Sequence, residues 1–239
     1  MGVAWPDYRS HATSADAGAG SCNGKVNSSV TVGGYLRYEV KVSVRDGFKG
    51  QKASDEFNRG MALSLEEKEE EALAAFEAAL VLEPTHVGAL AGKGRALIGL
   101  GRTHAALEAF TEAARLDPDE AEHPLQAGLC MLEMGLVGRA HAALRSASRS
   151  DDDRHACAAR VLDVGRSFMV RAARWRDRGV QKQEAVGYQL GEACFQIALD
   201  LWPRSAEAAR GLAVAASALG KKDEANRWAR LADSLTMIN

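Results

Sequence analysis

VGALAGKGRALIGLGRTHAALEAFTEAARLDPDE, residues 87–120, holds two apolar-periodic runs split by Gly101-Arg102-Thr103 and closed by Leu116-Asp117-Pro118. Moved by 34 positions in either direction, the same punctuation returns. Gly60, Gly94 and Gly128 share one slot, Ala72, Ala106 and Ala140 another, and Ala79, Ala113 and Ala147 a third. Phe76 and Phe110 repeat, with Leu144 in the third copy; Pro84 and Pro118 close two units. A fixed period with small residues at fixed offsets predicts a helix–turn–helix array.

The spacing has a packing reason. Gly94, Ala106 and Ala113 lack bulk, so two helix axes can approach closely, and Phe110 fills the hole they leave. Gly101 permits the left-handed backbone that ends the first helix, and Pro118 cannot continue the second. One such pair leaves an apolar face bare, so neighbours stack into a solenoid.

The pattern resembles the tetratricopeptide repeat family, through Gly94, Ala106, Phe110, Ala113 and Pro118 and their equivalents one period away. The family's leading Trp is matched only at Trp175, followed by Gly179, Phe195, Ala198 and Pro203. From Pro118 to Pro203 is 85 residues, two and a half periods, so the fourth repeat is stretched. A last pair with Leu212, Gly220 and Ala225 lacks the closing Pro. The resemblance covers residues 53–236. It implies an all-α, right-handed α-solenoid of antiparallel helix pairs, with repeats at about 53–86, 87–120, 121–154, 155–205 and 206–239. Its motif specifies fold and not function.

Residues 1–50 are a separate extension, ahead of the helical domain at 51–239. Residues 1–25 are rich in Ala, Gly and Ser without periodicity, which reads as a flexible lead. Over 26–44, Leu36, Tyr38, Val40, Val42 and Val44 alternate with more polar residues, and Gly33-Gly34 suits a tight turn after Val30-Thr31-Val32. A short β-hairpin is expected, either docked as a cap on the first repeat or offering an edge to a second copy or a partner. Ala19-Gly20-Ser21-Cys22-Asn23-Gly24-Lys25 imitates a phosphate-binding loop, but a strand follows it and Val26 stands where a magnesium-binding hydroxyl belongs. It reads as a linker.

Net charge is −2, and no run approaches 18 consecutive apolar residues. The opening residues lack an apolar signal core, and Pro6 stands where a myristoylation signal requires Ser or Thr. Cys22, Cys130, Cys157 and Cys194 are scattered, as expected of reduced thiols in a cytoplasmic protein, which leaves the Asn27-Ser28-Ser29 sequon without meaning. No His pair at helical spacing, no metal-type Cys/His cluster and no nucleophile elbow is present. No cofactor, metal or catalytic residue is therefore expected, and the reading is not an enzyme.

Charge is unevenly placed. Residues 55–83 hold nine acids against Arg59 and Lys68, whereas 139–178 hold ten arginines against five acids. Residues 154–178 read as one long helix, N-capped from Asp151-Asp152-Asp153, with Gly165 as its expected soft point. Its apolar side carries Val161, Phe168, Ala172 and Trp175; Arg160, Arg171, Arg174 and Arg178 form a stripe on another side. That stripe is either a solvated face or a landing strip for an acidic partner. Aromatic interleaving is absent from it, so nucleic acid is not expected.

In tetratricopeptide solenoids the first helix of each pair lines a concave groove, and the resemblance places Phe57, Met61, Arg95, Ile98, Leu125, Leu129, Leu132 and Arg210 there. Leu125, Leu129 and Leu132 recur at i, i+4 and i+7 beside the packing side of their helix, a stripe that something should cover. The candidates are a partner's apolar helix or peptide, the N-terminal hairpin, or the long helix. Members that clamp a C-terminal carboxylate need a basic cluster across three repeats; of the matching slots Phe57, Met61, Arg95, Leu125 and Leu129 only Arg95 is basic, which favours an apolar ligand. The expected function is a non-enzymatic scaffold or adaptor. The alternatives are a chaperone for a secreted or membrane-bound client, or a regulatory subunit of an enzyme complex.

Overall fold

The computed structural model describes residues 25–32 and 36–237, with side chains from 50 to 237. Residues 1–24, with the expected lead and Cys22, and residues 33–35, with the expected tight turn, lie outside them. The chain divides into units 1–48 and 49–239. In the first, β1 (Lys25–Val32) and β2 (Leu36–Ser43) run antiparallel, with Val30 opposite Tyr38. The strand pattern is expected to run through Val44; instead Val44 opens a helix.

Ten helices follow among the described residues: α1 (Val44–Leu65), α2 (Glu69–Leu82), α3 (Val87–Gly99), α4 (Thr103–Leu116), α5 (Glu122–Glu133), α6 (Val137–Ala147), α7 (Asp151–Asp177), α8 (Gln181–Leu201), α9 (Ala206–Ala218) and α10 (Lys222–Thr236). They form a helical solenoid. A single core runs its length, from Phe76 through Phe110, Leu144 and Val161 to Phe195 and Leu212. No described helix is long and apolar enough to cross a membrane.

The small and large slots meet as the period requires. A methyl group added at Gly60 or Gly92 would lie 2.7 or 2.5 Å from the Phe76 ring, so that ring is clasped between two glycines. Gly94 stands in the same way against Phe110, and Gly128 against Leu144. These are sites where the absence of a side chain sets the helix spacing. Each pair then turns through one left-handed residue: Glu67 (φ 59°), Gly101 (71°), Gly135 (75°), Gly179 (71°) and Gly220 (77°).

This frame revises the fourth pair. The glycine that meets Phe195 from within the pair is Gly165, not Gly179, and Gly211 closes on the ring from the next pair. Gly94 to Gly101 is seven positions, but Gly165 to Gly179 is fourteen; Gly101 to Phe110 is nine, but Gly179 to Phe195 is sixteen. Seven residues have thus been added on the turn side of each helix, and α7 is also about seven residues longer ahead of Gly165. Seven residues are nearly two turns, so the packing seam continues on the same side, with Gly187 against Ala172 and Gly191 against Met169. Trp175 lies on the added turns rather than leading a repeat. Gly165 does not soften α7 either; it is buried in an unbroken 27-residue helix.

The start of α7 also differs from expectation. Ser150, not an aspartate, is the N-cap: the Asp153 N–H donates to Ser150 Oγ (3.1 Å), and the Ser150 N–H donates to Asp153 Oδ2 (3.0 Å). The three aspartates fill the first turn, where the helix dipole favours them.

Candidate functional site

The first helices α3, α5 and α7 come together around one cleft of about 260 Å³. Ile98 enters from the end of α3, Gln126, Leu129 and Glu133 from α5, and Arg160, Asp163 and Val164 from α7. These positions follow from helix geometry. Residues 126, 129, 130 and 133 recur at i, i+3, i+4 and i+7 on one face of α5, and 160, 163 and 164 do the same on α7.

The floor is apolar. Leu129 is 9% exposed, Val164 is half-buried, and Ile98 is 42% exposed at the mouth. The rim is polar and carries both signs, with Arg160, Glu133 and Asp163. Gln126 is held by donating from Nε2 to Glu122 Oε1 (2.6 Å). Burial, reinforced by Glu133, pushes the Cys130 thiol up to about 11, so it is a neutral thiol and not a nucleophile at ordinary pH. Such a cleft can seat an apolar side chain while its neighbours meet the polar rim.

The expected groove residues divide. Ile98 and Leu129 meet in the cleft, joined by Arg160, which the sequence had placed on the basic stripe. Leu125, Leu129 and Leu132 were expected as a wet stripe awaiting cover; they are 6%, 9% and 1% exposed and belong to the core. The stripe is closed because α5 packs against three helices, α4, α6 and α7. Of the covers considered, the long helix is the one seen against α5. Phe57 is half-buried between Phe76 and His86, at ring separations of 6.0 and 5.0 Å. Met61 is half-buried, and Arg95 Nη2 lies 3.8 Å from its sulfur. Arg210 stands at the far end, donating to Thr236 Oγ1 (2.7 Å).

The basic stripe is also broken up. Arg171 pairs with Glu133 (2.8 Å) and lies over the Phe168 ring (4.3 Å); Arg178 lies over Trp175 (5.5 Å). Arg160 turns to the cleft, and Arg174 is exposed. Sequence reasoning missed Gln126, Glu133, Asp163 and Val164. Their signal was the i, i+3, i+4 spacing around Arg160 and Leu129, which shows only once α3, α5 and α7 are stacked. Among the described residues no group of three or more His, Cys, Asp and Glu side chains gathers to hold a metal.

A family model described as tetratricopeptide repeat matches residues 67–121 and 184–235. No curated protein sequence matches the chain. Among solved structures, the crystal structure of MamA protein superposes with a TM-score of 0.52 at 16% identity, covering 78% of this chain and 92% of that one. MamA from Desulfovibrio magneticus RS-1, from residue 41 to its end, gives 0.49 at 19% identity, covering 79% and 96%. YrrB, a tetratricopeptide protein with an unusual peptide-binding site, gives 0.49 at 18% identity, covering 75% and 84%. At these identities the likeness is one of fold.

Proposed function

Because the chain belongs to the tetratricopeptide repeat family, a family of protein- and peptide-binding modules, we propose that it is a non-enzymatic adaptor. It holds an apolar side chain of a partner peptide in the cleft between α3, α5 and α7. The observation that carries the proposal is the cleft's make-up: the exposed Ile98 and half-buried Val164 over a Leu129 floor, ringed by Arg160, Asp163 and Glu133. Burying an apolar anchor there contributes about 1.5–3 kcal/mol, and the mixed rim selects the partner's polar neighbours. A cytoplasmic setting is part of the same proposal.

The test is capture of partners by the wild type, followed by affinity measurement for Ile98→Asp and Arg160→Glu. Both side chains are exposed, so folding should survive while affinity falls about tenfold or more. Equal affinity in both variants would sink the cleft as the binding site. One stoichiometric partner supports an adaptor; a changing set of apolar clients would replace it with a chaperone.

The N-terminal hairpin lies outside both matched stretches, and its use as an edge for a second copy is a further proposal. Deleting residues 1–45 should then abolish any self-association seen by sedimentation, and an unchanged profile would refute it. An acidic partner is proposed only for the far end of the stripe, at Arg171, Arg174 and Arg178.

A further inference from the structure

The seven residues added to each of α7 and α8 lift the tip of this pair about 10 Å beyond its neighbours, at 1.5 Å per residue. Lower down, the α7–α8 seam is sealed by adjoining helices, as where Phe195 meets Gly211 of α9. On the α9–α10 side Ala173 and Arg176 still face Ala218 and Ala225 across a cavity, but on the other side α5 ends at Glu133 and its turn, at Gly135, reaches only the level of Leu190. The flank of the tip beside α5 is an apolar cleft of about 350 Å³ between Phe168, Trp175, Val186 and Leu190. Trp175 is 36% exposed and Val186 47%. Arg171 and Lys182 stand at its rim, and Arg178 lies over the Trp175 ring.

Charge says what fits. Residues 171–184 hold five basic side chains against Asp177 and Glu184. Among the described residues Arg174, Arg178 and Lys182 make no ion pair, whereas Arg171 pairs with Glu133 and Arg176 lies 4.0 Å from Asp177. An apolar slot with walls on two sides seats a side chain, and the basic rim attracts acids on either side of it. We propose that the α7–α8 tip is a second docking site, separate from the cleft between α3, α5 and α7, for an acidic segment that anchors itself by an aromatic or leucine side chain. The site does not depend on the adaptor reading of the other cleft.

The probe is a fluorescein-labelled synthetic peptide of Glu, Ala and Ser with one Trp and two Leu at helical spacing, compared with its Lys-for-Glu counterpart by fluorescence anisotropy. The acidic peptide should bind the wild type at low salt and weaken as salt rises. Trp175→Ala, and separately Lys182→Glu with Arg178→Glu, should each lower its affinity about tenfold or more. Removing residues 172–178 together with 180–186 restores ordinary pair spacing and should abolish binding with helicity retained. Ile98→Asp should leave this binding unchanged, which separates failure here from failure of the other cleft. The proposal is overturned if the wild type does not bind the acidic peptide, if the Lys peptide binds equally, or if the shortened protein binds like the wild type. It is also overturned if the wild type self-associates through the tip. In that case a second copy is the occupant, inserting Leu65, 84% exposed beside Glu66 and Glu67; Leu65→Ser would then dissolve the oligomer.

Discussion

Glu67 occupies the left-handed turn slot that four glycines hold in the other pairs, at φ 59°. An L-residue there costs about 1–2 kcal/mol of backbone strain, partly offset because glycine has more freedom to lose on folding. Glu67→Gly should therefore stabilise the protein by a few tenths to about 1 kcal/mol in a urea titration; a net loss would mean that the Glu67 side chain contributes more than its turn costs. The cysteines make a second residue-scale case. Burial, reinforced by Glu133, pushes Cys130 up to about 11 and Cys194 up to about 12, against an ordinary 9.0. Their folded values are raised, so the stability they contribute is intact below about pH 9 and is lost as pH climbs towards 11 and 12. The double variant Cys130→Ala, Cys194→Ala should show a shallower loss of stability across that window than the wild type; equal slopes would contradict the assignment. At this scale much was legible from the sequence: Gly94 facing Phe110 and the turn at Gly101 follow from the period. Glu67 falls in the acidic run that crowds the first repeat's turn, but its left-handed backbone was not legible because the residue is not glycine.

Helix pairs add a constraint that single residues do not show. The fourth pair looked like a displaced repeat led by Trp175, because the period of small residues was lost between Ala147 and Phe195. What the chain carries there is an addition of nearly two turns to both members of one pair, which keeps the seam in phase. Matched addition has a direct consequence. Removing 172–178 and 180–186 together should leave a folded solenoid, with a fall in melting temperature of only a few degrees, because Gly165 still meets Phe195 and Gly179 still makes the turn. Removing 172–178 alone leaves the start of α8 without a partner helix and should lower the melting temperature much further. Equal behaviour of the two deletions, followed by circular dichroism melts, would mean that the added turns are not paired. The leucine stripe of α5 failed as a groove for a related reason: a first helix inside an array has several helical neighbours, and its apolar arc can be wide without being open.

Across the whole helical unit, the chain offers two unlike surfaces: a small cleft of mixed rim charge on the face of the first helices, and a basic, aromatic-bearing tip where one pair outgrows the rest. The sequence gives away the solenoid because its period acts everywhere at once. It hides the cleft, because Ile98, Leu129 and Arg160 are brought together only by stacking three helices from different repeats. The central claim is that this cleft holds a partner's apolar side chain. The most direct measurement is isothermal titration of a captured partner, or its minimal binding peptide, into wild type and Ile98→Asp protein of equal melting temperature. The account predicts at least about a tenfold loss of affinity for Ile98→Asp; an unchanged dissociation constant would place the binding site elsewhere on the solenoid.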